Sequence, residues 1–236
     1  MDSSIALPLG EHELTRQRLA TGALLEALRT NPQPGLRLRT DAEMEETLAI
    51  ALRAHDPSRD LHIFGYGSLM WNPAMDAVHA SVARVQGWHR SFCLRTFLGR
   101  GTTQEPGAML GLDRGGACRG LLFRIEAPKV REELRLLWRR EMLPGAYDAR
   151  WIEARSGAGV VRALTFVVNR RHERYIGTHP IPDVARLICT GKGALGSSRA
   201  YFDNTVQALE GLGIRDAGIE RLRAAILRED AATGPA

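Results

Sequence analysis

From Leu61 to Ile125 the chain carries a series of strand-like runs with no helix-length segment between them. One run opens at Leu61, and Ala80 to Val85, Arg90 to Thr96, Ala108 to Leu112 and Ala117 to Ile125 follow, separated by glycine-rich turns. Parallel neighbours need a crossover of about a dozen residues or more, so these runs imply an antiparallel or barrel-like sheet, not a doubly wound one. Two later runs, Ala149 to Ala154 and Val160 to Asn169, complete the sheet.

Helical patterns flank this block. Glu11 to Thr30 is loosely amphipathic and stops at Asn31-Pro32, and Thr40 with Glu43 forms a capping box ahead of Met44, Leu48, Ala51 and Leu52. A polar stretch, His55 to Asp60, reads as a linker, which makes 1–58 a helical extension and 59–230 the main domain. Beyond the strands, Ile181 to Thr190 is helical, Ser197 or Ser198 caps a helix to Leu212, and Asp216 caps Ile219 to Arg228.

With 236 residues the chain buries a core without disulfides or metals, and its three cysteines form no C-x-x-C pair. This suits a reducing, cytoplasmic setting. No apolar run reaches membrane-spanning length, and no secretory leader opens the chain. The net charge of +5 comes from scattered arginines without a basic stripe, which argues against nucleic acid as a partner. No H-E-x-x-H pair or G-x-S-x-G elbow occurs, and Thr190-Gly191-Lys192-Gly193 lacks the Ser or Thr that a phosphate loop places after its lysine.

Three places carry candidate chemistry. His62 to Pro73 is a strand that breaks into glycines: Gly65 and Gly67 permit backbone angles that let the N–H groups of Tyr66 to Leu69 converge on an anion. A dinucleotide fingerprint would need a third glycine where Met70 stands. Leu98 to Thr103 is a hairpin loop, with Arg100 either solvated or forming a second wall of an anion pocket. The third place is the helix Val130 to Leu143, where Leu134, Leu137 and Trp138 form an apolar face and Glu141 falls on it. Burial and the negative helix end both raise the pKa of such a carboxylate, as suits a general acid/base, while a salt bridge to Arg139, Arg140 or a strand arginine is the plainer reading. Tyr147 follows, placed either to bond a ligand or to pack.

Phe64-Gly65-Tyr66-Gly67-Ser68-Leu69-Met70-Trp71-Asn72-Pro73, Gly99-Arg100-Gly101-Thr102 and Arg140-Glu141-Met142-Leu143-Pro144-Gly145-Ala146-Tyr147 occur in that order. So do Gly87-Trp88-His89-Arg90, Gly111 to Gly116 and Tyr201-Phe202-Asp203-Asn204-Thr205. Together they resemble the ChaC family of glutathione-specific γ-glutamylcyclotransferases, the bacterial members most. The resemblance implies an α+β fold, a small mixed or antiparallel β-barrel with flanking helices. It also implies cleavage of glutathione to 5-oxoproline and cysteinylglycine with no metal or other cofactor. Glu141 then matches the catalytic glutamate, Tyr66, Gly67, Ser68 and Leu69 line the substrate pocket, and Tyr147 borders it; the functional reading of the Arg100 loop adds a second wall. Other γ-glutamyl amines as substrates, or a non-catalytic γ-glutamyl-binding module, fit the same residues.

Overall fold

A computed structural model describes residues 14–22, 37–97 and 99–233. Its centre is a closed barrel in the order β1-β3-β2-β4-β5, formed by β1 (Leu61–Gly65), β2 (His79–Thr96), β3 (Gly107–Ile125), β4 (Tyr147–Ser156) and β5 (Gly159–Val168). Every pairing is antiparallel except β1 with β5, where Ile63 lies beside Leu164, so the barrel is mixed as expected. Ile63, Phe64, Leu110, Leu112, Leu164 and Phe166 belong to its continuous apolar core.

The strands are fewer and longer than their sequence pattern suggests. Ala80 to Val85 and Arg90 to Thr96 are two halves of β2, and Ala108 to Leu112 and Ala117 to Ile125 are two halves of β3. The glycines between the halves do not turn the chain; they form a bulge. The ladder steps from Gln86 opposite Ala117 to Trp88 opposite Arg114, and the extra residues Gly87, Gly115 and Gly116 sit at φ +78°, +103° and +67°. Only glycine adopts such angles without strain, so the ladder resumes beyond the irregularity.

Around the barrel lie α1 (Arg16–Ala20), α2 (Asp41–Leu52), α3 (Val130–Glu141), α4 (Ile181–Thr190), α5 (Ser198–Gly211) and α6 (Ala217–Thr233). The Thr40 capping box opens α2, Ser197 caps α5, and the Asp216 carboxylate accepts from the amides of Gly218 and Ile219 at the head of α6. The expected first helix is seen only as α1, which gives way at Thr21 and Gly22; residues 11–13 and 23–30 of that expectation lie outside the described residues. Among the described residues no helix is long and apolar enough to cross a membrane.

The described N-terminal segments lie against α3. Arg139 donates to the Leu19 and Ala20 carbonyls, and Arg39 donates from its backbone to Leu143 O and from its side chain to Met142 O. Glu133 looks like an exposed first-turn acid, yet it is buried, paired with Arg16 and accepting from the Asp76 amide at 2.9 Å. Trp138 donates to Thr47 Oγ1 of α2 at 3.1 Å, and so α3 is held from both sides.

One contact controls how closely β1 seats. A Cβ on Gly120 would meet the Gly65 carbonyl oxygen at 2.3 Å and Phe64 Cζ at 3.0 Å. Gly120→Ala is expected to destabilise the protein by about 1–3 kcal/mol, read as a lower denaturation midpoint. Gly157→Ala, where an added Cβ meets nothing within 4 Å, is the matched control with an unchanged midpoint.

Candidate active site

The chain leaves the barrel at Gly65 and turns at once into a short 3-10 helix, Ser68–Met70, with Gly67 as its cap. The Met70 amide donates to Gly67 O, and the Asn72 amide to Ser68 O, each at 2.8 Å. The Ser68 and Leu69 N–H groups, at the start of the turn, have no acceptor within it. Gly65 and Gly67 serve this turn through space, not through left-handed angles: neither has positive φ. A Cβ on Gly65 would meet Leu69 Cβ at 2.9 Å, and one on Gly67 would meet Tyr201 Oη at 3.3 Å. The left-handed residue of this region is Ala74, at φ 51° just past Pro73.

Tyr66 is clamped at both ends. Its hydroxyl donates to Phe166 O at 2.8 Å and its carbonyl accepts from Arg90 Nε at 2.6 Å. Arg90 is buried and also bonds Arg119 O and the Asp216 carboxylate. Tyr147 is the first residue of β4, and its hydroxyl donates to Leu110 O at 2.6 Å.

Glu141 is the last residue of α3, and its side chain is 15% exposed. Its Oε1 accepts from Arg140 Nε at 2.9 Å, so the salt-bridge reading of this residue holds together with its burial on the apolar face. Burial pushes the carboxyl above its ordinary range, and the Arg140 charge and hydrogen bond oppose that push without cancelling it. Arg140 also donates from Nη2 to Ser68 Oγ at 2.8 Å and from Nη1 to Asn72 O. The two regions picked out from the sequence therefore meet through a single guanidinium.

Tyr201 of α5 closes the arrangement. Its hydroxyl is hydrogen-bonded to the Ser68 side chain, its ring packs edge-on to Trp71 at 5.4 Å, and the Arg100 guanidinium lies 5.3 Å from the ring centre. The Arg100 loop is seated on the segment excluded above as a phosphate loop. A Cβ on Gly193 would lie 2.4 Å from Gly99 O, and one on Gly191 would lie 2.4 Å from Gly107 Cα, so those glycines allow backbone to pass backbone. Burial raises the pKa of Tyr66, Tyr147 and Tyr201, with the Glu141 charge adding to it, the last to about 12; all three remain neutral phenols at physiological pH.

Of the residues expected in the site, Ser68, Glu141 and Arg100 join one chain of contacts running Glu141–Arg140–Ser68–Tyr201–Arg100. Gly67 abuts Tyr201, Leu69 packs on Gly65, and Tyr66 and Tyr147 face the field of Glu141. The sequence named Arg140 only as one of several salt-bridge partners for Glu141, and it gave no role to Tyr201. Arg140 adjoins Glu141, a spacing at which helical side chains do not face each other, and Tyr201 reaches Ser68 only through the fold. The one available signal was their presence in the ordered motif blocks.

Residues 61–229 match the family model described as ChaC-like protein. The chain belongs to the ChaC-like family. Its sequence is 38% identical over 177 residues to the Escherichia coli protein named glutathione-specific gamma-glutamylcyclotransferase, covering 75% of this chain and 77% of that one. A mouse relative, glutathione-specific gamma-glutamylcyclotransferase 1, is 30% identical over 147 residues, covering 60% of this chain and 66% of its own length. Among solved structures, a yeast γ-glutamyl cyclotransferase specific to glutathione shares the fold, with a TM-score of 0.66 at 18% identity over 72% of this ChaC-like chain and 96% of the yeast chain.

Thiol chemistry has no foothold beside this site. Cys93 and Cys118 are free and buried in β2 and β3, and burial raises them to about 12 and about 11, while half-buried Cys189 is raised too. At neutral pH, Ellman's reagent should titrate at most one thiol in the native protein, slowly, and all three in denaturant. Rapid modification of Cys93 would contradict the packing described.

Proposed function

We propose that this protein cleaves glutathione by intramolecular cyclisation, releasing 5-oxoproline and cysteinylglycine. The observation that carries the reading is the half-buried Glu141 carboxylate, of raised proton affinity, tied through Arg140 to the Ser68 turn. The E. coli relative, similar across most of both chains, carries the name of this activity.

In this reading the substrate supplies its own nucleophile. The Glu141 carboxylate takes a proton from the α-ammonium of the γ-glutamyl unit, and the freed amine attacks the γ-carbonyl carbon of the same unit. Holding both groups in one cleft exploits intramolecular geometry. As the tetrahedral species collapses, the bond to the cysteine nitrogen breaks and Glu141 returns the proton to that nitrogen; the ring nitrogen gives up its second proton, which the released amine takes up as it leaves as an ammonium. One C–N bond forms, one breaks, and no water is consumed. The Ser68 and Leu69 amides at the start of the turn hold either the α-carboxylate or the γ-oxyanion. Tyr66, Gly67, Ser68, Leu69 and Tyr147 shape the pocket, with Arg100 supplying positive charge at its second wall.

We read 59–230 as the catalytic unit and 1–58 as an extension whose described parts brace α3. Three free thiols and a thiol substrate suit the cytoplasm.

Glu141→Gln keeps the shape and removes the proton acceptor. It should lower 5-oxoproline release from glutathione, measured by mass spectrometry, by a factor on the order of 100–10,000, with glutathione binding retained. Wild-type kcat/KM should fall as the pH drops through the raised pKa of Glu141, because protonation removes the base. Assaying γ-glutamyl amino acids and γ-glutamyl amines beside glutathione fixes the donor, and turnover unchanged in Glu141→Gln rules out the assigned base.

A further inference from the structure

Arg140 spends its guanidinium in three directions: Nε on Glu141 at 2.9 Å, Nη2 on Ser68 Oγ at 2.8 Å and Nη1 on Asn72 O. Its side chain is 4% exposed. A guanidinium is planar, so bonds at both Nη atoms fix the plane, and with it the line along which Nε points. The neighbouring arginine in the same helical turn is used differently, with Arg139 donating to Leu19 O and Ala20 O. Asn72 is fixed in its turn, since its side chain donates to Leu14 O at 3.2 Å. The N-terminal segment thus reaches the carboxylate through Asn72 and Arg140.

Taking Glu141 as the proton carrier of the proposed reaction, we infer that Arg140 is its positioning residue, fixing the carboxylate at a set distance from the Ser68 turn that receives the substrate. The same contact opposes burial at Glu141. The groups facing Glu141 are Arg140 on α3, Tyr66 next to β1, Tyr147 on β4 and Tyr201 on α5; all three phenols are neutral. Among the described residues Arg140 is therefore the charged group that opposes protonation of Glu141. Without it, burial acts unopposed, the carboxyl holds its proton to higher pH, and base catalysis begins later on the pH scale. Lysine in its place retains the charge and loses the fork.

The test compares Arg140→Met and Arg140→Lys with the wild type by two readouts. In the pH profile of kcat/KM on glutathione, the acid limb of Arg140→Met should move up by about 1–3 units. Arg140→Lys should bring the limb back towards the wild-type position with kcat still reduced at least about tenfold. The second readout needs no turnover: a carbon-13 NMR titration of the glutamate carboxyls, with the Glu141 resonance identified by its loss in Glu141→Gln, should show the same upward shift in Arg140→Met. Should Arg140→Met fail to fold, Arg140→Lys decides by its kcat and by a displaced Glu141 carboxyl resonance. Activity lost with limb and resonance both unmoved would mean that Arg140 only braces the fold, and the inference fails. A wild type inactive on every γ-glutamyl donor overturns the functional reading alone, while the NMR titration still decides whether Arg140 governs Glu141.

Discussion

Closure of the barrel at β1 is the constraint on which the rest depends. This five-residue strand pairs with β3 on one side and meets β5 on the other through the one parallel contact. It seats only because Gly120 has no side chain to meet the Gly65 carbonyl. The chain is then released at Gly65, where the 3-10 turn begins, and Tyr66 is pinned by the Phe166 carbonyl and by Arg90. Barrel closure therefore sets both the position and the direction of the turn that meets Arg140. A short strand at the closing edge is a structural requirement with a functional consequence.

The electrostatics of the site follow from which effect dominates. Burial and the helix end favour a protonated Glu141, and Arg140 favours the carboxylate; the balance leaves the proton affinity raised. A carboxylate fully paired on the surface would be too weak a base, and one buried without a partner would stay protonated. Arg140 holds the group between these limits, and bonds to Ser68 and Asn72 prevent it from swinging away. The N-terminal segments grip α3 at Arg139 and at the Met142 and Leu143 carbonyls, which steadies the same helix end.

What the amino-acid pattern disclosed depended on range. Thr40 and Glu43 lie within one helical turn, and their capping box forms as read. Glu141 falls on the face of Leu134 and Trp138 because helical spacing is local, and it is half-buried there. Where neighbours come from afar the pattern misleads. The glycines at 87, 115 and 116 resemble turns, since a bulge and a turn ask for the same left-handed residue; only the opposing strand distinguishes them. Gly65 and Gly67 were legible as special positions, Gly67 lying at φ −130° and ψ −130°, but the crowding by Leu69 and Tyr201 was not, because it arises from the turn and from a remote helix. Arg140 and Tyr201 acquire their roles only when α3 and α5 meet the Ser68 turn.

The central claim is that the site supplies a positioned proton carrier and the substrate supplies the nucleophile. Partitioning of wild-type turnover in the presence of hydroxylamine tests this most directly, because a γ-glutamyl group held on the protein would be intercepted, whereas ring closure within the substrate would not. The account predicts 5-oxoproline and cysteinylglycine in equal amounts, with no γ-glutamyl hydroxamate at any hydroxylamine concentration. Hydroxamate that grows at the expense of 5-oxoproline would show an acyl-enzyme and contradict it.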